Sequence, residues 1–303
     1  MMICYLCSSG NILKTNSQRR IRYGTQLYSF YFCKDCYGYS LFPKLSDQQI
    51  QRLYSISYVT DLNDENDSEE YADWNKFLQL KHFLSTKMDK SGGTFLDYGC
   101  GADPVTFEIA RSSGLNPFGM EYSRDIQKLV MKETGVQVYS KDEILNSKHE
   151  YDVIFLGDVL EHLVNPMTDL RALLSKLKKD GILIAQGPLQ GAWTFTHFIV
   201  IFFALLTKSR VSHFPPYHVS LANRKSMQEL LRKAGFADIK IECTEVTWPA
   251  PNFKTFVKKP SPRSFLLFTS KVLDKIIARL VKNYGSRYFL VCKLEPHVSR
   301  EII

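Results

Sequence analysis

Residues 95–103 read FLDYGCGAD, a short apolar run followed by a glycine-rich turn. The apolar run ends in Asp97, and Gly99 and Gly101 permit a tight turn before the next helix. Glycines let the backbone approach a ligand closely, and the first turn of a helix offers free N–H groups. The next apolar segment ends in Glu121, about twenty residues further on, where a carboxylate can accept hydrogen bonds from ribose hydroxyls. The pattern predicts a ribose-bearing ligand at two neighbouring strand ends.

The sequence around this turn alternates between short apolar segments and helical patterns. Strands are predicted at 94–98, 117–121, 137–139, 151–157, 182–187, 238–246 and 287–294. Helices are predicted at about 71–88, 104–112, 123–133, 166–178 and 224–234, with Gly181 ending the fourth. Nearly continuous apolar strands separated by helices are typical of a parallel sheet that is covered on both faces. Right-handed crossovers then give a doubly wound α/β fold.

Four segments resemble the class I S-adenosylmethionine-dependent methyltransferase family. They are LDYGCG (96–101), GMEYS (119–123), YDVIFLGDVLEHLVNP (151–166) and GILIAQGP (181–188). The resemblance covers about residues 91–246 and the last strand. It implies a Rossmann-like seven-stranded sheet whose last strand is antiparallel, with S-adenosylmethionine as the cofactor.

The resemblance also implies a set of cofactor-binding residues. They are Asp97, Gly99, Cys100, Gly101, Glu121, Tyr122, Asp142 and Asp158. The first aspartate and the two glycines would surround the methionine portion of the cofactor. Glu121 would hold the ribose, and Asp142 is the candidate for the adenine edge.

The glycine-rich turn departs from the family pattern at one position. Asp103 stands where the family often has a third glycine, and Pro104 follows it. Because aspartate suits the N-cap and proline suits the first helical position, we interpret the pair as a capping variant. A pocket that no longer binds the cofactor is the alternative.

Four of the seven cysteines form two C-x-x-C pairs, Cys4/Cys7 and Cys33/Cys36. Four thiolates in two such pairs predict a structural zinc site with no open coordination position. A module of about forty residues has too little core to fold without such a site, so residues 1–40 are predicted to form a zinc ribbon. Four unrelated free thiols are the alternative.

The rest of the domain organisation follows from composition. Residues 41–90 are predicted to form connecting helices, and residues 91–303 a methyltransferase domain with insertions at about 191–218 and 248–286. The three remaining cysteines argue against a secreted disulfide framework. The first residues lack a basic start followed by an apolar run. Both features favour the reducing cytoplasm.

Two histidines are candidates for a catalytic base. His162 follows the fourth predicted strand, and His218 precedes the helix at 224–234. A histidine titrates near neutral pH and can accept a proton. A structural, hydrogen-bonded histidine is the alternative for each, since methyl transfer from a sulfonium needs chiefly in-line positioning.

The two insertions carry apolar and basic segments. Residues 193–207 read WTFTHFIVIFFALLT, which spans about 22 Å as a helix and is shorter than the roughly 30 Å hydrocarbon core of a bilayer. Residues 265–285 have the pattern of a basic amphipathic helix. Residues 208–303 hold 18 Lys/Arg against 7 Asp/Glu, within a chain of net charge +8. Peripheral contact with an anionic membrane is one prediction for these segments, and a lid packed on the domain's own core is the other.

These observations predict methyl transfer to oxygen or carbon of a sugar or lipid-linked small-molecule acceptor. The second cysteine pair and its continuation (33–54) resemble the junction in bacterial sugar and polysaccharide methyltransferases, and ubiquinone O-methyltransferases share the general pattern. An RNA methyltransferase that binds nucleic acid through the zinc ribbon is one alternative. Base-amino methyltransferases carry N/D-P-P-Y where this chain reads GDVL (157–160), so a nucleic-acid partner is not expected. A non-catalytic binding protein is the other alternative.

Overall fold

The computed structural model describes two β-sheets and the helices that pack on them. The described residues are 2–15, 20–54, 74–88, 92–102, 105–189, 194–206, 211–212, 215–244, 257 and 261–294. The predicted cap at Asp103 and Pro104 lies outside them.

The N-terminal part contains four short strands. They are β1 (Ile12–Lys14), β2 (Arg20–Tyr23), β3 (Gln26–Cys33) and β4 (Tyr39–Phe42). The longest of them, β3, pairs antiparallel with the other three. Helix α1 (Asp47–Leu53) follows. It begins at a capping box in which Ser46 and Gln49 each bind the other's backbone N–H, so two N–H groups at its start gain acceptors.

Nine further strands are found in the described part of the chain. They are β5 (Thr94–Tyr98), β6 (Asn116–Met120), β7 (Val138–Tyr139), β8 (Tyr151–Gly157), β9 (Leu177–Pro188), β10 (Val211–Ser212), β11 (Ser220–Leu221), β12 (Phe236–Thr244) and β13 (Arg287–Leu294). Seven of them form one sheet in the order β12-β13-β9-β8-β5-β6-β7. The strands from β9 to β7 are parallel, whereas β13 runs antiparallel to both of its neighbours. The doubly wound seven-stranded prediction is confirmed, including the antiparallel last strand.

Eight more α-helices connect or flank these strands in the described residues. They are α2 (Leu78–Lys87), α3 (Val105–Ser112), α4 (Arg124–Thr134), α5 (Lys141–Asn146), α6 (Pro166–Leu174), α7 (Phe195–Leu206), α8 (Arg224–Ala234) and α9 (Pro262–Leu280). Local sequence explains their limits. For example, α4 begins at the N-cap Ser123 and ends at Gly135 with φ +67°, a left-handed conformation that suits glycine. Short 3-10 turns cover Trp74–Phe77 and Leu160–His162.

The predicted helix at 166–178 is wrong in its C-terminal turn. Helix α6 ends at Leu174, and β9 already begins at Leu177, so Gly181 lies inside a strand rather than at a helix end. A Cβ at Gly181 would lie 3.0 Å from the carbonyl oxygens of Lys178 and Tyr151. Glycine is needed there because two backbone segments approach closely.

The N-terminal sheet also includes strands from the region after β9. Its order is β10-β2-β3-β4-β11, with β1 paired to β3. Strand β11 is antiparallel to β4, with Ser220 opposite Ser40. Val164 and Val219 share one buried cluster with Tyr28, Phe30 and Leu41. The N-terminal sheet and the seven-stranded domain therefore share a hydrophobic core, while the boundary at residue 40 stays a prediction.

Candidate active site

The glycine-rich turn lies at the C-terminal end of β5. Gly99 and Gly101 have φ angles of +88° and +59°, which favour glycine over residues with a Cβ. A Cβ at Gly99 would also lie 2.7 Å from the Cγ2 of Val159. The backbone N–H groups of Gly99 and Cys100 donate to the carbonyl oxygen of Met120 at 2.8 and 3.0 Å. These bonds hold the turn against the end of β6.

Asp97 is buried at the end of β5. Its carboxylate accepts a hydrogen bond at 2.5 Å from the hydroxyl of Thr106 on α3. The strand and the helix after the glycine turn are therefore tied across the turn itself.

Glu121 follows β6 and reaches back to the glycine turn. Its carboxylate accepts hydrogen bonds from the N–H groups of Gly101 at 3.1 Å, Tyr122 at 2.7 Å and Ser123 at 3.1 Å. Burial raises the pKa of Glu121 above its ordinary value, and the three N–H donors oppose that effect. The glycine turn and Glu121, both singled out from the sequence, are thus in direct contact.

The remaining predicted cofactor residues on this side differ in exposure. The Cys100 side chain is buried beside Phe107 and Val138, and burial raises the pKa of its thiol. Cys100 can therefore offer only its backbone to a ligand at the turn. Tyr122 is exposed, and so is Asp142 on α5, the helix after β7. The candidates thus follow the ends of β5, β6 and β7 in order.

Asp158 lies at the end of β8 in an ion-pair network. Its backbone has φ +54°, and its carboxylate pairs with Arg287 and, at 3.0 Å, with Lys76. Burial raises the pKa of Asp158, but the two cations outweigh it and hold the pKa below its ordinary value. No local sequence pattern pointed to either cation, because Arg287 starts β13 and Lys76 lies in a 3-10 turn.

His162 is held by two partners through one ring nitrogen. Its Nδ1 lies 2.9 Å from the Tyr54 hydroxyl and 2.9 Å from the Tyr217 carbonyl oxygen. A carbonyl oxygen can only accept a hydrogen bond, so we assign the proton to Nδ1 and the lone pair to Nε2. Burial lowers the pKa of His162 to about 4. The ring is therefore neutral at pH 7.

Glu161 and His218 complete a cluster with His162. The rings of His162 and His218 lie 4.9 Å apart at 75°, and the His162 Nε2 is 3.8 Å from a Glu161 oxygen. Burial, aided by Asp158, raises the pKa of Glu161 to about 7. The potential ligand atoms of the three residues lie within 4.8 Å of one another, close enough to share a proton or a metal ion. The structure thus brings the two predicted catalytic histidines together.

A family comparison matches the region that builds this site. Residues 65–241 match the family described as "Methyltransferase domain". The chain belongs to this family. Five residues that the sequence did not single out contact Asp158 or His162: Tyr54, Lys76, Glu161, Tyr217 and Arg287.

Relatives and solved structures place the chain among methyltransferases. The ubiquinone biosynthesis O-methyltransferase of Shewanella pealeana is 31% identical over 112 residues, which are 34% of this chain and 47% of that protein. The chain spans about half the length of the curated relatives it matches.

Two solved structures show the same fold. Phosphoethanolamine N-methyltransferase 2 of Haemonchus contortus, in complex with S-adenosyl-L-methionine, has a TM-score of 0.53 at 17% identity, covering 91% of this chain and 71% of that one. Magnesium protoporphyrin IX methyltransferase of Synechocystis, with bound S-adenosylhomocysteine, has a TM-score of 0.51 at 12% identity, covering 82% of this chain and 100% of that one. At these identities the likeness concerns the fold.

The four paired cysteines lie outside the family match and form a separate buried cluster. Their sulfur atoms all lie within 4.8 Å of one another, with 3.6 Å between Cys4 and Cys36 and 3.5 Å between Cys7 and Cys33. Tetrahedral zinc with bonds of about 2.3 Å places its sulfur ligands ~3.8 Å apart. The arrangement of the four thiols therefore fits a zinc ion.

Proposed function

We propose that the protein is an S-adenosylmethionine-dependent methyltransferase that acts on a small-molecule acceptor. The observation that carries the proposal is the contact between the glycine turn and the acidic strand end, where the Gly101 N–H donates to Glu121 at 3.1 Å. This contact brings a backbone cradle and a buried carboxylate to one edge of a parallel sheet. Ligands of doubly wound folds bind at that edge.

The cofactor would lie along the ends of the first three parallel strands. Asp97, Gly99 and Gly101, with the backbone of Cys100, would hold its methionine portion. Glu121 would accept hydrogen bonds from its ribose hydroxyls. The exposed Tyr122 and Asp142 would flank its adenine. When bound, S-adenosylmethionine supplies the electrophilic methyl group.

The acceptor would bind on the other side, next to the histidine cluster. Asp158 pairs there with both Arg287 and Lys76, so the ion-pair network orders the end of β8. The exposed ring of His218 is our candidate for accepting a proton from an acceptor hydroxyl or carbon. The neutral His162, fixed by Tyr54 and Tyr217, would orient that ring. The pair thus supports transfer to oxygen or carbon.

Replacement of Glu121 tests the cofactor assignment. Glu121→Ala removes a charge-assisted hydrogen bond to ribose worth about 1.5–3 kcal/mol, so titration calorimetry should show S-adenosylmethionine binding roughly 10- to 150-fold weaker. Glu133→Ala, an exposed position on α4, is the matched control and should bind like wild type. Equal affinity in wild type and Glu121→Ala would contradict the assignment.

We infer that the acceptor is a sugar or a lipid-linked molecule and that the cytoplasmic enzyme contacts anionic membranes through the two apolar segments. Phe195, Phe198 and Phe202 on α7 are 49%, 50% and 53% exposed. Helix α9 exposes Phe265, Leu266, Leu273, Ile276 and Leu280 and also carries Lys271, Lys275 and Arg279. Exposed apolar side chains beside cations are typical of helices that lie in a membrane interface. Among the described helices, none is both long and apolar enough to span a bilayer.

We also propose that Cys4, Cys7, Cys33 and Cys36 hold one structural zinc ion. All four side chains are buried, and four thiolates fill a tetrahedral site without leaving a position for a substrate. The donor set of four sulfurs suits zinc. Its proposed role is to hold the N-terminal sheet together.

A further inference from the structure

We propose that Tyr54 positions His162 and that the N-terminal sheet, through its cysteine cluster, holds the acceptor side of the active site in place. The inference rests on the proposed methyl transfer, because it concerns the histidine cluster assigned to the acceptor. It gives the N-terminal module a role inside the active site rather than in binding a separate partner. Three sets of contacts carry it.

The first set surrounds Tyr54, which follows α1. Its hydroxyl lies 2.9 Å from the His162 Nδ1. Its ring centroid lies 6.0 Å from that of His162, 6.2 Å from that of Tyr217 and 6.1 Å from that of Tyr122, on which it stacks at 25°. Tyr122 directly follows Glu121, the proposed ribose ligand. A single side chain from the N-terminal region therefore contacts both the cofactor side and the acceptor side.

The second set runs through Val219. The Leu41 N–H on β4 donates to the Val219 carbonyl at 2.9 Å, and the Val219 N–H donates to the Glu161 carbonyl at 2.8 Å. Val219 is buried between these partners. The adjacent residues Tyr217 and His218 are the ones that meet His162. Pairing with β4 thus fixes the backbone that carries half of the histidine cluster.

The third set joins the cysteine cluster to α8, the helix that follows β11. The Cys36 carbonyl accepts from the Asn223 side-chain amide at 3.1 Å, and the Cys7 carbonyl accepts from the Lys233 ammonium at 2.6 Å. Asn223 is also the N-cap of α8. A Cβ at Gly38 would lie 3.3 Å from the Cβ of Ser226, so the second cysteine pair packs tightly on the start of the helix.

These contacts have one consequence for His162. Its Nδ1 proton has two acceptors, the Tyr54 oxygen and the Tyr217 carbonyl, and both depend on the N-terminal sheet for their position. Loss of the Tyr54 hydroxyl leaves the Tyr217 carbonyl, which still selects the Nδ1–H tautomer, but it removes one of the two hydrogen-bond partners that hold the ring. Loss of the sheet frees the segment 215–221 and removes both acceptors. The glycine turn and Glu121 have their own partners and should keep their structure.

Tyr54→Phe tests the positioning role without a known acceptor. Nitrogen-15 NMR should show His162 as the Nδ1–H tautomer in wild type and in Tyr54→Phe, with the Nδ1–H signal shifted and exchanging at least tenfold faster with solvent in the variant; the signal is assigned by its loss in His162→Gln. The control Tyr37→Phe removes the hydroxyl of an exposed tyrosine in the same module and should keep the wild-type spectrum. An unchanged Nδ1–H shift and exchange rate in Tyr54→Phe would overturn the positioning role.

Hydrogen–deuterium exchange tests the role of the cluster in the full chain. Cys36→Ser, or a zinc chelator applied to wild type, should speed exchange at residues 215–221 at least tenfold and leave β5 and β6 protected. Unchanged exchange at 215–221 in both samples would overturn the coupling. Titration calorimetry with S-adenosylmethionine on wild type measures the proposed function separately. Absence of binding in wild type would instead refute the proposed function and leave the NMR and exchange results valid.

Discussion

Asp152 is a buried carboxylate that joins the N-terminal ends of three strands, β5, β8 and β9. It accepts hydrogen bonds from the Thr94 N–H at 2.7 Å and hydroxyl at 3.0 Å, and it pairs with Lys178 at 2.6 Å. Burial raises the pKa of Asp152, but Lys178 and Thr94 outweigh it and lower the pKa well below the ordinary value. The folded state thus gains stability that is present above the unfolded pKa of about 3.9 and is lost as the pH falls further.

Asp152→Asn should therefore destabilise the chain in a pH-dependent way. Chemical denaturation should show a loss of about 1–3 kcal/mol at pH 7, and the difference from wild type should shrink as the pH falls below about 4. The control Asp180→Asn replaces an exposed aspartate near the start of β9 and should change the free energy of unfolding little. A loss that is independent of pH would show that the ion pair does not account for the effect.

At the scale of elements, α7 and α9 form a pair that is held by a buried aspartate. The Asp274 carboxylate on α9 accepts hydrogen bonds from the N–H groups of Phe195 and Thr196, both at 2.8 Å. It also receives one from the Tyr284 hydroxyl. A side chain of α9 thus accepts hydrogen bonds from backbone N–H groups at the start of α7, as an N-cap residue would. The two helices are thereby joined, while three phenylalanines of α7 stay exposed.

Simultaneous replacement of Phe195, Phe198 and Phe202 by serine should weaken membrane binding. Flotation with vesicles of phosphatidylglycerol and phosphatidylcholine should recover wild type in the lipid fraction and recover at least tenfold less of the variant. Binding of wild type should fall with added salt, because nearby cations each contribute roughly 1 kcal/mol on an anionic surface. Leu129→Ser changes an exposed leucine on α4 and should float like wild type. Equal flotation of the triple variant would mean that α7 does not contact the membrane.

At the scale of the whole molecule, two regions far apart in the chain build one body. Strands β10 and β11 come from the segment after β9, yet they complete the N-terminal sheet. The cysteine cluster in turn binds α8 of the seven-stranded domain. A change in the cysteine cluster should therefore affect the stability of both the N-terminal sheet and the seven-stranded domain.

Purified protein should contain about one zinc ion per chain, as measured by elemental analysis. Cys36→Ser should lower the zinc content and the melting temperature, because structural zinc contributes folding free energy directly. Cys243→Ser, outside the cluster and half-buried, should keep the zinc. Protein made with ample zinc that holds none would contradict the proposed site.

The sequence by itself determined the features that depend on neighbouring residues. Each of these features can be recognised in a short stretch of chain: the glycine turn after β5, the apolar strands, the capped helices and the two C-x-x-C pairs. Local patterns also misled at Gly181, where a close approach between strands, rather than a helix end, requires glycine. That approach is invisible until Tyr151 and Lys178 are placed side by side.

Only the tertiary structure decided how the acceptor side is built. His162 meets Tyr54 across 108 residues and Tyr217 across 55 residues, and Asp158 meets Arg287 across 129 residues. Strand β4 pairs with β11, which follows β9 in the chain. No local propensity encodes such pairs, because each forms only after the sheet brings distant strand ends to one edge. The contact between the glycine turn and Glu121 joins two short segments that the sequence shows, whereas the histidine cluster and its supports required the fold.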